Sequence, residues 1–390
     1  MNKFDIVSPE SIGMSYKGLE NVTKSIQKDI DNGITNGAVV LVARKGKVCY
    51  CQAIGSTDIE TNRKAKIDDV FFLMSLTKTI TAVAVLKAIE QGKFRLDSRV
   101  SEIFPEFKAN GKENVTIFDL LTHGCNLSSS FAPVPGINGI SDMVNIETVA
   151  KAAAKLAPNS KIGEVCAYQP YITYCVLGYL LILTDEKKRS YSDIIHDEIF
   201  EPLGMNDSSI GRDINDSRSV PMVFCYGPNK NKKDEIFLNQ LNNGELPAAN
   251  AYSTVYDMFK LGEMLRLGGT YNGAKILSPA MVKYAMNNFT GDMENLSIIP
   301  EVYRLGINKK VPGNYGLAGG YIRGEGQHLT PVGLLASPHS FAGIGGGTTM
   351  VMCDPERELT VVYLGHGHTL GLEHFQRMQK INDLIIGCID

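Results

Sequence analysis

The sequence predicts an α/β protein, an α+β sandwich in which one antiparallel sheet is flanked by helices and interrupted by an inserted all-helical domain. Apolar runs typical of strands occur near both ends of the chain, whereas the stretch from about 75 to 240 has mainly helical periodicity. The chain has 390 residues, 44% of them apolar, which is enough for two lobes. We expect a sheet domain from residues 1–70 and 250–390, a mainly helical domain from 71–249, and an active site in the cleft between them.

The amino-terminal elements are predicted to be a helix and a β-hairpin. Residues 17–32 have apolar side chains at helical spacing. Residues 37–55 contain two β-rich runs on either side of Arg44-Lys45-Gly46-Lys47, a pattern typical of a hairpin turn. A short apolar run at 70–73 then leads into Ser75.

Helical patterns dominate the middle of the chain. The predicted helices cover residues 76–91, 115–124, 145–157, 171–185, 192–204, 252–269 and 278–288. The first of them is the strongest prediction, because its apolar run ends at Gly92, a typical residue after a helix.

The carboxyl-terminal part returns to strand-like patterns. Short apolar runs divided by glycine and proline predict strands at 314–323, 330–337, 347–354 and 359–367. An amphipathic pattern over 372–388 predicts a final helix.

Composition and charge exclude several classes of function. The 39 basic and 42 acidic residues give a net charge of −3, so we expect no nucleic-acid partner. Residues 1–15 lack the apolar core of a secretory signal, and the apolar stretch 171–183 is too short to span a bilayer. Nucleotide-binding glycine motifs are absent, so we expect no cofactor. From the missing signal and membrane segment we expect a cytoplasmic protein without membrane association. The oligomeric state stays undetermined.

The cysteines are predicted to be buried thiols of a reducing cytosol. They form no Cys-x-x-Cys pair, and most lie in apolar runs. Their positions are 49, 51, 125, 166, 175, 225, 353 and 388. Cys49 and Cys51, two residues apart in a strand, are expected to share one face of it.

A Ser-x-x-Lys motif, Ser75 to Lys78, lies where the buried run 70–73 meets the strong helix. Spacing of three residues places both side chains on one helical face. In a desolvated cleft the pKa of a lysine falls, and a neutral amine can then deprotonate a serine. The helix amino terminus also offers N–H groups to an oxyanion. A second copy, Ser25 to Lys28, lies in the middle of an amphipathic helix and is interpreted as surface.

Several long segments resemble the serine β-lactamase and penicillin-recognising superfamily, and more narrowly its class C β-lactamase-like carboxylesterases, D-aminopeptidases and acyltransferases. The similar segments follow the family's order and together cover nearly the whole chain. They are residues 37–55, 75–107, 115–124, 199–209, 268–282 and 343–364. The resemblance implies the fold of that superfamily and acyl transfer through an acyl-serine intermediate.

The resemblance implies that Ser75 is the acylated serine and that Lys78 is its partner. The family's second motif is Tyr-x-Asn, in which a tyrosine of lowered pKa relays a proton to the leaving group. Tyr168 matches this tyrosine, but Gln169 and Pro170 follow it and the asparagine is missing. Counted back from Gly178, the spacing is one residue longer than in the family, so Tyr171 is an alternative to the preferred Tyr168. Tyr168, Tyr171 and Tyr174 also fit a packed aromatic stripe, which is the favoured interpretation for Tyr171 and Tyr174.

The family's third motif, Lys/His-x-Gly or the Trp-Gly-Gly variant of the esterases, lies on an edge strand, and the resemblance places Gly343-Ile344-Gly345 there. Gly343 lacks the cation that would bind a substrate carboxylate, which argues against penicillins and free carboxyl-terminal peptides. The following Gly346 is expected to offer its N–H, with that of Ser75, as an oxyanion hole. A bulged strand or a loop is the alternative interpretation of this glycine run.

Three histidines receive no catalytic or metal-binding role. His366 and His368, at the end of a predicted strand, are interpreted as part of a loop at the rim of the cleft. No carboxylate or thiol accompanies them, so we predict no metal site. His123 ends a predicted helix, where a positive side chain would suit the helix dipole.

The sequence thus predicts a serine hydrolase of the esterase type that acts on a small ester or amide. An acyltransferase or peptide-releasing cyclase would use the same acyl-enzyme. A D-amino-acid peptidase or β-lactamase and a catalytically silent ligand-binding relative are further alternatives, because two motif residues are missing. Segments 128–144 and 286–312 are expected to border the cleft, without a pattern that identifies the substrate.

Overall fold

The computed structural model describes residues 5–127, 134–213, 215–291, 293–304, 306, 311–325, 328–369 and 371–390. Within these ranges, strands occur near both ends of the chain and helices occupy most of the middle. The strands are β1 (Gly37–Arg44), β2 (Lys47–Asp58), β3 (Arg63–Lys64), β4 (Phe71–Phe72), β5 (Ser209–Ile210), β6 (Ala251–Ser253), β7 (Thr270–Tyr271), β8 (Ala274–Lys275), β9 (Tyr321–Ile322), β10 (Phe341–Gly345), β11 (Thr349–Asp354) and β12 (Leu359–His366).

The helices of the described residues vary widely in length. They are α1 (Tyr16–Asp31), α2 (Thr77–Glu90), α3 (Val100–Ile103), α4 (Ile117–Leu121), α5 (Ile140–Met143), α6 (Ile146–Lys155), α7 (Pro170–Leu183), α8 (Tyr191–Ile195), α9 (Glu201–Leu203), α10 (Glu235–Asn242), α11 (Val255–Arg266), α12 (Pro279–Ala285), α13 (Ile299–Arg304) and α14 (Gly371–Ile386). Among these residues, no helix is both long and apolar enough to cross a membrane.

The main sheet combines strands from both ends of the chain. Within the described residues it has seven strands, in the order β3-β2-β1-β12-β11-β10-β9, and each neighbouring pair is antiparallel. At its centre β1 pairs with β12, with Gly37 opposite His366 and Arg44 opposite Leu359. The predicted antiparallel sheet with flanking helices and an inserted helical region is confirmed.

Both faces of the sheet are covered, because alternate side chains of a strand point to opposite faces. In β1, Val39 and Leu41 pack into the cluster that contains α11 and the helical region. Val40 and Val42 pack into a second cluster, which contains α1 and α14. The continuous apolar run of β1 therefore reflects burial on both sides.

The helical region is built around two helices that are apolar on every side. The residues of α2 from Thr77 to Leu86 are all buried, and α7 is buried along most of its length. The two helices pack against each other. This packing holds the amino-terminal end of α2 next to the main sheet, where β10 contacts the segment that precedes α2.

A small sheet supports the same segment from the opposite side. Its strand order is β4-β6-β5. Phe71 and Phe72 of β4 pair with Ser253 and Tyr252 of β6. The apolar run 70–73 before Ser75 therefore contains a strand of two residues.

Two predictions about the carboxyl-terminal strands are wrong. Residues 330–337 form turns, because Pro331, Gly333 and Pro338 interrupt their apolar pattern. The sheet instead uses β10, whose Gly343 and Gly345 conceal its strand character in the sequence. Of the predicted strand 314–323, only β9 is regular.

The expectation that Cys49 and Cys51 share a strand face is also wrong. The pairing of β1 with β2 shifts register between Val42 and Ala43, which marks a β-bulge. Cys49 consequently packs into the cluster of α1 and α14, and Cys51 into the opposite one. All eight cysteines are buried and unbridged, as predicted. The division into domains at 70/71 and 249/250 stays a prediction.

Candidate active site

Ser75 lies in a short 3₁₀ turn (Met74–Leu76) between β4 and α2. The turn is anchored through Leu73. Its N–H donates to the Ala251 carbonyl oxygen at 2.9 Å, and its own carbonyl oxygen accepts from Thr349 Oγ1 at 2.8 Å. Both sheets therefore fix the position of the serine.

The backbone just before the serine is strained. Met74 has φ 49°, a left-handed conformation that is uncommon for a residue with a side chain. Ser75 remains partly exposed, whereas Leu73 and Leu76 are fully buried. Backbone strain of this kind persists only where the surroundings enforce it, and such sites are often functional.

Lys78 lies one turn further along and is almost completely buried, with 3% of its surface exposed. Its Nζ donates to the Ser75 carbonyl oxygen at 2.7 Å. Nζ also lies 5.0 Å from the centre of the Tyr168 ring. Burial lowers the pKa of Lys78 to about 7, because desolvation disfavours the ammonium form. A substantial fraction of neutral amine is therefore present near neutral pH.

Tyr168 lies on the loop before α7, and neighbouring segments fix that loop. The Ala167 N–H donates to the His123 carbonyl oxygen at 2.9 Å. The Tyr168 N–H donates to Ser297 Oγ at 2.6 Å. Cys166 forms a parallel bridge with Asn295. Contacts with residues far away in the sequence thus fix the position of the Tyr168 side chain.

The side chains of Tyr168 and Ser75 are hydrogen-bonded to each other. Burial raises the pKa of Tyr168, and this hydrogen bond offsets only part of the increase. The expectation of a lowered tyrosine pKa is therefore wrong for this state of the protein, since burial outweighs the nearby hydroxyl. Tyr168 is a phenol at neutral pH and can donate a proton.

His123 is part of the same aromatic group, although its helix-end position suggested a charged cap. It is 1% exposed, and its ring centre lies 4.9 Å from that of Tyr168 and 5.0 Å from that of Tyr315. Burial, and then the nearby Lys78 charge, lower the pKa of His123 well below its usual value. The interpretation as a positive helix cap is therefore wrong, because a neutral imidazole carries no charge to the helix end. The sequence offers no periodicity signal for this long-range contact.

The other candidates around Tyr168 have packing contacts of their own. Gln169 is buried, and its side-chain oxygen accepts from the Leu127 N–H at 2.7 Å. Tyr171 packs against the cluster that contains Phe72 and Val149, and its hydroxyl has no hydrogen-bond partner among the described residues. Tyr174 is fully buried. Of the two alternative tyrosines, Tyr168 is the one hydrogen-bonded to Ser75.

The glycine-rich strand β10 packs directly on the serine turn. A Cβ on Gly345 would lie 2.1 Å from the Leu73 carbonyl oxygen and 2.7 Å from the Leu76 nitrogen. A Cβ on Gly343 would lie 2.3 Å from Thr79 Oγ1. Glycine is therefore required for this close approach of two backbones. Ile344 points to the other face and packs into the cluster of α1 and α14.

Gly346 follows β10 in a tight turn and has φ 45°. Its carbonyl oxygen accepts from His368 Nδ1 at 2.7 Å. His366 Nδ1 lies 3.0 Å from the Ser56 carbonyl oxygen. Burial lowers the pKa of both histidines to about 4, so each donates as a neutral imidazole. His366 is the last residue of β12, so the prediction of a rim loop is wrong for this histidine. Both histidines are buried, and the Nδ1 atom of each is engaged with a backbone oxygen.

Parts of the segments expected to border the cleft lie outside the described residues, namely 128–133, 292, 305 and 307–310. Within the described part of segment 286–312, Asn295 and Ser297 contact the Tyr168 loop. The described part of the site consists of the α2 terminus, the Tyr168 loop with these two contacts, and β10.

An antiparallel sheet covered by helices, with a largely helical region beside it and a Ser-x-x-Lys motif at a helix terminus, defines the β-lactamase and penicillin-binding-protein class of fold. The chain belongs to the Beta-lactamase family, whose family model matches residues 22–381. The predicted family resemblance is thereby confirmed.

Known proteins resemble the chain in sequence and in structure. Esterase EstB of Burkholderia gladioli is 34% identical over 189 residues, which are 44% of this chain and 46% of EstB. A penicillin-binding protein homologue from Caulobacter crescentus superimposes with a TM-score of 0.77 at 20% identity, over 96% of this chain and 99% of its own. EstCE1, a hydrolase with promiscuous acyltransferase activity, superimposes with a TM-score of 0.74 at 18% identity, over 94% and 98%. The matched segments span less than half the length of the curated relatives.

Proposed function

We propose that the protein is a serine hydrolase that cleaves a small, uncharged ester or amide through an acyl-Ser75 intermediate. The observation that carries the proposal is the meeting of three groups at the α2 terminus. The Tyr168 side chain is hydrogen-bonded to Ser75, and both lie beside the buried Lys78 amine. Similarity to an esterase and to a hydrolase with promiscuous acyltransferase activity supports this choice.

The pKa directions assign a different task to each group. Neutral Lys78, with its pKa lowered to about 7, accepts the proton from Ser75 Oγ as the oxygen attacks the carbonyl carbon. Tyr168, a phenol because its pKa is raised, donates its proton to the departing alkoxide or amine. The Lys78 ammonium then returns a proton to the tyrosinate. One alcohol or amine leaves, and the acyl-serine ester remains.

A developing oxyanion needs donors at fixed positions. The Ser75 N–H at the amino-terminal end of α2 and the Gly346 N–H just beyond β10 are the proposed pair. The contact of Gly345 with Leu76 supports this pairing, because it places the end of β10 against the serine turn. Water as the second acceptor completes hydrolysis.

The absence of a side chain at Gly343 favours an uncharged substrate. A lysine or histidine at this position would bind a carboxylate, but Thr79 Oγ1 occupies the space that its Cβ would need. Position 343 therefore offers no cation to the carboxylate of a β-lactam or of a free carboxyl-terminal peptide, and both substrate classes are disfavoured. An acyltransferase with an alcohol or amine acceptor is the second candidate, favoured by the similarity to EstCE1. A silent ligand-binding relative would not need a buried lysine beside the serine.

Covalent labelling with a fluorophosphonate, read by intact mass, tests the proposal. One adduct should form on the protein, and Ser75→Ala should abolish it. The second Ser-x-x-Lys copy provides a matched control, because Ser25 lies on α1 and Lys28 is exposed. Ser25→Ala should label like the parent protein. Absence of any adduct on the folded parent protein would overturn the proposal in favour of a silent relative.

Substrate class is tested by turnover of p-nitrophenyl esters against nitrocefin. We expect measurable turnover of short acyl esters and little of the lactam. Faster nitrocefin turnover would reverse this order. Adding a small alcohol or amine during ester cleavage, with analysis of the products, separates transfer from hydrolysis.

A further inference from the structure

The turn between β10 and β11 is held by side chains that the proposed mechanism does not use. Gly346 and Gly347 both have positive φ, at 45° and 68°. Two glycines in succession leave the backbone free to rotate unless the surroundings fix it. The peptide planes of this turn determine where its N–H groups point.

All three carbonyl oxygens of the turn are bound. That of Gly345 accepts from the Thr348 N–H at 2.9 Å. That of Gly346 accepts from His368 Nδ1 at 2.7 Å. That of Gly347 accepts from Arg377 Nη2 at 2.6 Å and from Thr369 Oγ1 at 3.0 Å. Because the C=O and N–H of a trans peptide point in opposite directions, binding each oxygen fixes the direction of the following N–H.

Arg377 is itself held by a histidine. Its Nη2 lies 3.2 Å from His374 Nδ1, and His374 Nε2 lies 3.2 Å from the Thr349 carbonyl oxygen. Burial lowers the pKa of His374 well below its usual value. A neutral imidazole with its proton on Nε2 therefore donates to Thr349 and accepts from Arg377. This arrangement fixes the guanidinium beneath the turn.

The burial of Arg377 is costly. The residue is 5% exposed, and its Nε and Nη1 have no hydrogen-bond partner among the described residues. Its guanidinium carbon lies 5.4 Å from the centre of the Tyr363 ring, a cation–π contact that offsets only part of the cost. Desolvating a charge without an opposite charge disfavours folding. An apolar side chain would cost less if filling space were its only task.

We propose that His368 and Arg377 are positioning residues for the oxyanion hole. Arg377 holds the Gly347 carbonyl oxygen and so fixes the direction of the Thr348 N–H, which in turn binds the Gly345 carbonyl oxygen. That bond sets the Gly345–Gly346 peptide plane and aims the Gly346 N–H at the reacting carbonyl. His368 fixes the intervening peptide plane through the Gly346 carbonyl oxygen. The inference rests on the proposed acyl transfer at Ser75. It adds two residues, from the segment after β12 and from α14, that act through the turn without touching the substrate.

Paired substitutions test the two side chains. His368→Leu and Arg377→Met remove the donors at similar volume, and we expect each to lower kcat about 10- to 100-fold with KM nearly unchanged, a loss up to that of an oxyanion donor. His368→Asn keeps an N–H donor and should recover most of the activity. Arg377→Lys keeps the charge without the planar guanidinium and should recover part of it.

Comparing an ester with its thionoester gives a ratio of rates that does not change when part of the protein is unfolded. Sulfur is a weak hydrogen-bond acceptor, so a well-aligned oxyanion hole prefers the oxygen ester. We expect the ratio of kcat/KM for the ester to that for the thionoester to fall in His368→Leu and Arg377→Met. The ratio is independent of the active fraction, so it remains informative for a poorly folding variant.

Lys380→Met is the matched control, because Lys380 lies on α14 like Arg377 but pairs with Asp29 at 3.1 Å. We expect it to retain the parent kcat and ratio. If His368→Leu and Arg377→Met keep both values while Ser75 still labels, the positioning role is wrong and the proposed function stands. If Ser75 in the parent protein does not label, the proposed function itself fails.

Discussion

The Nζ of Lys78 lies 2.7 Å from the carbonyl oxygen of Ser75, inside a site that leaves only 3% of the lysine exposed. The contact is local, since the two residues are separated by a single helical turn. The surroundings of the contact are not local, because Tyr168 and the turn after β10 come from distant parts of the chain. The proposed chemistry depends on these distant segments, because by burying the Lys78 amine they lower its pKa.

The pH dependence of turnover should report Lys78. Since burial lowers its pKa to about 7 and the neutral amine is the proposed base, kcat/KM should rise with pH through about 7 and level off above it. Initial rates on a p-nitrophenyl ester from pH 5 to 9, corrected for spontaneous hydrolysis, measure this profile. A flat profile across neutral pH would exclude Lys78 as the titrating base.

Lys78→Met should make the protein more stable and inactive. The folded-state pKa of about 7 lies below the unfolded value of about 10.4, so the unfolded state binds more protons between these pH values. Wild-type stability therefore rises with pH across this window and is lowest below pH 7. We expect the variant to gain on the order of 1–2 kcal/mol in the free energy of unfolding at pH 6. The gain should shrink from pH 7 towards pH 10, which denaturant melts at three pH values would measure.

Tyr168→Phe should separate substrates by their leaving groups. The proposed role of Tyr168 is to protonate the departing oxygen, and p-nitrophenolate needs little such help. We expect a loss of roughly 100-fold or more for a simple alkyl ester, the usual size of a general-acid contribution, and a much smaller loss for the p-nitrophenyl ester. Tyr174→Phe, in which a fully buried phenol on α7 is changed in the same way, is the control. Equal losses on both esters would indicate a packing role for Tyr168.

Two alanine substitutions in β10 should differ in whether they can be rescued. The new methyl group of Gly343→Ala would meet Thr79 Oγ1, which has no hydrogen-bond partner among the described residues, and Leu76 Cδ1 at 2.8 Å. We expect the substitution to cost about 1–3 kcal/mol, as overpacking usually does. Added Thr79→Ala should recover part of that loss, since it removes the closer of the two contacts. Gly345→Ala meets the Leu73 carbonyl oxygen, which is backbone, so we expect no such rescue. Thermal melts of the single and double variants give the comparison.

Local patterns predicted most of the fold. The observed helix α2 agrees closely with the helical spacing of residues 76–91, and β12 agrees with the apolar run predicted there. The agreement arises because a buried face requires apolar side chains at the period of its helix or strand. The strand β10 was expected only from the family resemblance and not from its local pattern, since two of its five residues are glycines required by contacts with the serine turn and α2. The apolar run at 330–337 was wrongly predicted as a strand, because proline has no N–H to donate to a neighbouring strand.

The candidate site shows the same limit. Ser75 and Lys78 lie in one local motif and are recognisable from spacing alone. The burial of His123 among tyrosines, the raised pKa of Tyr168 and the hold of Arg377 on the Gly347 carbonyl all depend on long-range packing. No periodicity in the chain encodes these contacts, so sequence reasoning could not place them.

The pairing of β1 with β12 has a consequence for how the protein is made. Gly37 leaves the ribosome long before His366, its partner in the central ladder. Until then β1 has a hydrogen-bonding edge on one side with no native neighbour, and unpaired edges of this kind invite pairing with the wrong chain. Closing so long a loop also slows folding. We therefore expect the helical region to collapse first, and reactivity at Ser75 to be acquired only as the last strands add to the sheet.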